Sequence, residues 1–338
     1  RFETQWDVSL KENQVTTLGV VAERNELDQS TNTSLGGGQI LRTTEVDAKS
    51  TSTLEAFVQN DWMLESQEVI AGLRVTQDPS FGSHFDPKVN WSKPIGQLAG
   101  LDTKVRASVG TGYRVPNLKE RYYILDHRAF AGYVVYGNDS LRPEESISSQ
   151  VGAELRKSRT FSLDVNTFLH DVRGLIVSVE EPSGTSERIF RFRNMNETRI
   201  YGFETGLTWQ PGTRLRFSPS LTFTKAQDRN SDLIVPNRPF YQAQATASYV
   251  VGSRESNVSG TARYVGDSYA NIENTEVYPS YSVFDARYNH QYDRNIEISF
   301  GVKNVFDNKR SARGDSPDPI YDQRPVEGRM FVLNLSVE

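Results

Sequence analysis

From Leu101 to its C-terminus the chain alternates apolar and polar residues almost without a break. Leu101, Val105, Ala107 and Val109 fall on one face of an extended strand, and Asp102, Lys104, Arg106 and Ser108 on the other. Successive side chains of a strand point to opposite sides of the sheet, so a period of two describes a wall with two unlike faces. In the segment 241–249 the apolar face runs Tyr241, Ala243, Ala245, Ala247, Tyr249, with aromatics at both ends and small residues between. A strand that crosses a bilayer needs about 9 to 11 residues, lipid-facing side chains at every second position, and Trp or Tyr at the two interfaces. These segments meet all three requirements, and the expected fold class is all-β, an antiparallel transmembrane β-barrel.

Only 36% of the 338 residues are hydrophobic, a proportion that would also suit a soluble protein. In a membrane barrel it follows from strands with one side in a polar lumen and from long hydrated loops. No apolar run approaches the 18 or so residues of a membrane helix, so any crossing is made by strands. With 15 Tyr and 17 Phe the chain can furnish interfacial girdles. A net charge of -5 argues against nucleic acid as a partner, since binding by counterion release needs a basic face. The chain has no cysteine, and neither a G-x-S-x-G elbow, a P-loop nor an H-E-x-x-H pair occurs. No enzyme, catalytic residue or resident metal is therefore expected.

The alternation predicts about fifteen strands, near 2–10, 14–27, 52–64, 67–78, 84–95, 101–115, 146–157, 160–179, 187–209, 213–225, 239–251, 256–268, 280–292, 295–308 and 329–338. Brief, turn-rich connections take turns with extended ones at 28–51, 79–83, 116–145, 180–186, 226–238, 269–279 and 309–328. Outer-membrane barrels show this asymmetry, with tight turns on the periplasmic side and long loops outside. If the last strand descends to the periplasm, counting back makes the first strand descend as well. A barrel built from the periplasm opens on an ascending strand, so residues 1–338 are expected to be the C-terminal portion of a larger barrel.

Along 161–171 the apolar set Phe161, Leu163, Val165 and Leu169 leaves Asp164, Asn166, Phe168 and His170 facing the lumen. The connection 117–145 is dense in aromatics, holding Tyr122, Tyr123, His127, Arg128, Phe130, Tyr133 and Tyr136. Exposed aromatics of this kind either anchor a ligand or pack the loop against its neighbours. His84, at a strand start, and His290, beside Tyr288 and Tyr292 on the outward face, read as structural. Asp315, Asp318 and Asp322 either hold calcium in an outer loop or are simply solvated.

Five local strings are more specific than strand periodicity. Gly112-Tyr-Arg-Val-Pro116 runs into Asn117-Leu-Lys-Glu-Arg121, and Asn138-Asp-Ser-Leu-Arg-Pro-Glu-Glu-Ser146 opens the next strand. The proline in each bars further ladder bonding and brackets the loop between them. Phe192-Arg-Asn194, Tyr201-Gly-Phe-Glu204 and Gly301-Val-Lys-Asn-Val-Phe-Asp307 follow. In this order the set resembles the C-terminal barrel half of TonB-dependent outer-membrane receptors, with Asp139 in place of a usual proline and Val305 in place of a leucine.

That resemblance implies a plugged barrel of roughly 22 strands, of which this chain supplies about the last 15, the plug domain and first strands lying elsewhere in the same protein or in a separate chain. It implies active import of a scarce nutrient across the bacterial outer membrane, driven by the TonB inner-membrane complex, in a barrel surrounded by outer-membrane lipid. The expected cargo is a ferric siderophore or other iron chelate. Haem or cobalamin is the alternative within the family, and a passive porin-like barrel or a scaffold subunit the alternative outside it. No cofactor is expected, haem entering only as transported ligand. Haem-uptake members carry an axial histidine between the two strings that flank His127. Ligand-contacting candidates are Tyr122, Tyr123, His127, Arg128, Phe130, Tyr133, Tyr136 and His170. Plug-contacting candidates are Arg106, Asp164 and Glu204, the last between Gly202 and Gly206, which either admit a plug or shape the wall.

Overall fold

The computed structural model describes residues 1–36, 39–128, 132–181, 187–252, 256–308 and 326–337. The wall begins with β1 (Phe2–Lys11), β2 (Gln14–Gly36), β3 (Gln39–Leu64), β4 (Gln67–Asp78), β5 (Gly82–Leu98) and β6 (Leu101–Arg114). The connection that follows carries α1 (Leu118–Tyr122), β7 (Ile124–Asp126) and β8 (Tyr133–Tyr136). The wall resumes with β9 (Glu144–Lys157), β10 (Phe161–Glu181), β11 (Arg188–Trp209), β12 (Leu215–Asp228), β13 (Tyr241–Val251) and β14 (Ser256–Val265). After the short pair β15 (Ser268–Tyr269) and β16 (Val277–Tyr278), it ends with β17 (Tyr281–Gln291), β18 (Ile296–Lys303) and β19 (Met330–Val337).

Fifteen of these strands form one antiparallel meander in which each bonds the next, β6 passing directly to β9 and β14 to β17. Among the described residues β1 pairs only with β2 and β19 only with β18. The sheet therefore has two open edges, the architecture expected of part of a barrel.

The two faces separate as the periodicity requires. Ile147, Val151, Phe331, Leu333, Leu335 and Val337, all on the outward set, are 61–74% exposed. Water would not tolerate so continuous an apolar surface, whereas acyl chains demand it. Buried apolar residues are few, because a wall one strand thick has no second layer. The cluster that exists, Val172, Leu175, Met195, Ala226 and Val235 with Ile272 against it, lies beneath the outer connections.

Two expected loops are not loops. Residues 28–36 and 39–51 continue β2 and β3 as a paired ribbon, with register shifts at Leu27 to Ser30. Their threonines favour a strand, but with water on both faces nothing imposes alternation. The connection 79–83 is a tight turn in which Asp78 Oδ1 accepts the Ser80 and Phe81 amides at 2.7 and 3.1 Å, and Gly82 takes a φ of 81°. Asp315, Asp318 and Asp322 fall outside the described residues, as does Phe130.

Candidate ligand-contacting site

The connection from β6 to β9 is a strap across the mouth of the wall. Pro116 ends β6, and the Asn117 to Glu120 spacing closes a capping box that starts α1. The Glu120 amide donates to Asn117 Oδ1 at 2.9 Å and the Asn117 amide to Glu120 Oε2 at 2.8 Å. On one side the strap reaches the β2–β3 ribbon, where Gln29 bonds both backbone groups of Ile124 and Lys49 lies 5.3 Å over the Tyr122 ring. After the β7–β8 hairpin it reaches the far side, β8 pairing in parallel with 188–191 of β11.

Residues of the sequence strings fasten both ends. Arg114 donates to Glu120 at 3.0 Å and to Glu144 at 2.8 and 2.5 Å, and Glu144 also accepts the Ile176 amide at 2.8 Å. Asn138 Nδ2 donates to the Phe192 carbonyl at 2.8 Å. Asn194 accepts the Arg142 amide and donates to the Arg142 carbonyl, both at 2.9 Å, and reaches the Gly174 carbonyl at 2.6 Å. A fourth string makes the same kind of tie beyond β18, where buried Asn304, at a φ of 47°, donates to the Asn308 and Glu327 carbonyls.

Most strap aromatics are held by cations of their neighbours. Tyr122 lies between Lys49 and Arg121, Tyr123 under Lys119, and Tyr136 under Arg191. His127 Nδ1 is 2.9 Å from the Tyr133 hydroxyl, and Tyr133 meets Phe190 edge-on at 6.1 Å. Tyr133 also lines a cavity of about 480 Å3 with Glu180, Arg188, Phe190, Glu276 and Tyr278. Arg128 forks onto Asp126 at 2.5 to 3.1 Å, which holds the Asp126 carboxyl down at about 2 and the guanidinium above its usual range.

A carboxyl depressed in the folded chain adds stability that is complete above its unfolded value, near 4, and is lost as pH falls through the folded one. The strap hairpin should therefore stay protected from pepsin at pH 4 and open as pH approaches 2. Asp126→Asn should be cleaved evenly across that window, after normalisation to a control peptide. An identical pH profile in both proteins would show that the pair does not fasten the hairpin.

A second cavity, of about 540 Å3, lies on the lumen face, lined by Lys88, Trp91, Lys104, Arg106, Asn166 and His170 among others. Arg106, Asn166 and Glu204 stand in one cross-strand row with Gly152 between the first two. A Cβ at Gly152 would sit 2.9 Å from Arg106 Nε, so glycine lets the arginine cross to Asp164, which it grips at 2.6 and 2.7 Å. His170 Nδ1 lies 2.7 Å from Ser148 Oγ, its ring beside Phe168. His290 bonds Ser256 at 2.8 Å, and His84 stacks on Tyr113.

Arg188, Phe190 and Arg191, which bind the strap, the first two also lining the outer cavity, escaped the sequence reading. The alternation of Arg and Phe in 188–193 is the signal that marks them.

Residues 1–305 match the family model described as TonB dependent receptor-like, beta-barrel. The ferric enterobactin receptor PirA of Pseudomonas aeruginosa is 23% identical over 287 residues, covering 78% of this chain and 38% of that protein. The ferrienterobactin receptor of Escherichia coli K12 is 23% identical over 340 residues, covering 90% and 44%. The vitamin B12 transporter BtuB of Vibrio vulnificus is 23% identical, covering 82% and 41%. The chain thus spans about two fifths of the length of these relatives. Among solved structures, a mutant of the ferric enterobactin receptor PfeA of Pseudomonas aeruginosa superposes with a TM-score of 0.76 at 17% identity, over 99% of this chain and 53% of that one. The alternation, the open antiparallel wall, the fastened strap and these matches agree: the chain belongs to the TonB-dependent receptor β-barrel family of the bacterial outer membrane.

Proposed function

We infer that this chain forms the wall and part of the outer ligand-contacting surface of an active importer for a ferric siderophore or other iron chelate. The observation that carries the reading is the strap. It sets aromatic and cationic side chains across the mouth of a polar channel, anchored on both sides, where a diffusing chelate arrives before it can pass. Members of the family are transport receptors rather than enzymes, and relatives named for ferric enterobactin favour iron chelates as cargo. Cobalamin is the second reading, on the strength of relatives named as vitamin B12 transporters. A haem reading would call on His127, whose Nδ1 lies 2.9 Å from the Tyr133 hydroxyl.

On the lumen side, the row of Arg106, Asn166 and Glu204 with Asp164 is the surface against which a plug rests. The outer cavity at Tyr133, with His170 deeper in the lumen, marks the path. The TonB complex of the inner membrane supplies the work.

The test uses the full-length receptor in cells depleted of their own siderophore receptors. Uptake of radiolabelled iron as a catecholate or hydroxamate chelate is expected to depend on this receptor and to stop when a protonophore collapses the proton-motive force, while surface binding persists. Uptake that survives the protonophore would overturn active import, and uptake of cobalamin alone would move the cargo to the second reading.

A further inference from the structure

Just above the lipid-facing band, the outward face changes character at one level in three neighbouring strands. The register aligns Leu169, Tyr201 and Lys225 in one row, Asp171, Arg199 and Gln227 in the next, and Arg173 with Glu197 in the third, which Arg229 extends by its ion pair to Glu197. Below them the same face is apolar: Phe161, Leu163 and Val165 on β10, Phe203 and Leu207 on β11, Leu221 and Phe223 on β12. From Phe161 to Leu169 the wall rises about 21 Å, at ~3.4 Å per residue and ~40° tilt. That nearly fills a band of about 25 Å, so the charged rows stand at the outer headgroup level.

Four cations, Arg173, Arg199, Lys225 and Arg229, gather there against Asp171 and Glu197, with Glu145 beside Arg173, in a chain whose net charge is -5. Arg199 is held by Asp171 at 2.8 and 2.9 Å. Arg173 and Arg229 are not so held. They share Glu197 at 4.0 and 3.7 Å, beyond hydrogen-bond reach, and the Arg173 side chain is 77% exposed. Both line a cavity of about 370 Å3 whose wall also includes the exposed apolar residues Phe85 and Ile147. An outward-facing pocket at this height opens on the outer leaflet. Its apolar flank suits the top of an acyl chain, and guanidinium groups with donors to spare suit phosphate oxygens.

We propose that Arg173, Arg229 and Lys225 bind the phosphate of an outer-leaflet lipid headgroup, seating one lipid against the outer wall of β10–β12. Glu197 keeps the two arginines turned outward between encounters. This site is separate from the strap and lumen and does not depend on what the receptor imports.

The full-length receptor is extracted from its native outer membrane in mild detergent, and native mass spectrometry counts retained lipid. The wild-type protein is expected to keep a phosphorylated outer-leaflet lipid and to lose it when the lipid is enzymatically dephosphorylated. The triple variant Arg173→Ala, Lys225→Ala, Arg229→Ala should retain about tenfold less at equal concentration, as loss of several exposed charge contacts implies. Arg173→Lys with Arg229→Lys, Lys225 being kept, should restore most of it. All three side chains are exposed or half-exposed, so heat-modifiable gel mobility should report an intact barrel in every variant. Equal retention by wild type and triple variant, or equal retention of dephosphorylated lipid, would overturn the proposal. So would a neighbouring protein, instead of lipid, captured by a photocrosslinker at position 173.

Discussion

Gly202→Ala should destabilise the β10–β12 wall by about 3 kcal/mol or more, whereas Gly206→Ala, four residues along the same face of the same strand, should leave it intact. Gly202 pairs with Phe168 on one side and Thr224 on the other. A Cβ there would be driven into the Phe223 carbonyl oxygen and would meet the Phe168 ring at 2.9 Å. The ring end can yield by rotation, but the carbonyl belongs to the backbone of β12. Overpacking against flexible side chains costs about 1–3 kcal/mol, and displacing a ladder carbonyl adds the loss of its hydrogen bond, so about 3 kcal/mol or more is expected. Phe168 lying over Gly202 is a cross-strand cover of the kind that compensates a glycine in a curved sheet. At Gly206 nothing lies within 4 Å, and alanine there should be neutral or slightly stabilising, since glycine in a strand is disfavoured by about 0.5–1 kcal/mol. Urea unfolding of the full-length receptor in detergent, read by gel mobility, separates the two. Matching midpoints would mean that Gly202 is not the point of closest approach.

The contrast also bears on what could be read from residues alone. All fifteen wall strands were legible because a bilayer enforces a binary choice at every position within it: 161, 163, 165 and 169 must be greasy and 164, 166 and 170 need not be. That pressure ends at the headgroups. Above them β2 and β3 run on through Ser30, Thr31, Thr43 and Thr44, residues with strand propensity on both faces and therefore no period to detect. The strap was legible as a place but not as a structure. Its aromatics stood out, yet the lysines and arginines that hold them come from β3, α1 and β11, far apart in sequence. Parallel pairing of β8 with β11 joins residues about fifty positions apart, and no local pattern announces it. The prolines of the strings did mark where strands end. Their polar companions Arg114, Glu120, Asn138, Glu144 and Asn194 were the fasteners, and that role is visible only once both ends of the strap are in place.

Releasing those fasteners should separate ligand binding from barrel stability. Asn194→Ala removes one acceptor and two donors, leaving the Arg142 amide and carbonyl and the Gly174 carbonyl without the partners they have at 2.9, 2.9 and 2.6 Å. Two of these bonds, those to Arg142, hold the strap, and at about 1 kcal/mol for each net hydrogen bond the ordered strap loses about 2 kcal/mol. Arg114→Ala unties the other end, where one guanidinium bridges Glu120 and Glu144. None of these groups supports the ladder below Arg114, so heat-modifiable mobility and the urea midpoint of the wall should change little. Apparent affinity falls in proportion to the population of the binding-competent strap, and a loss of about 2 kcal/mol lowers that population up to about thirtyfold once the margin holding the strap is exhausted. On the proposed function, the double variant should bind a ferric catecholate chelate at least tenfold more weakly, with the loss appearing in the association rate because the strap must first be reordered. Limited proteolysis at neutral pH reports whether the strap has been freed. A strap that is cleaved readily while chelate affinity stays at the wild-type level would place ligand recognition elsewhere on the receptor, and Tyr133 and Arg188 would then serve only to close the mouth.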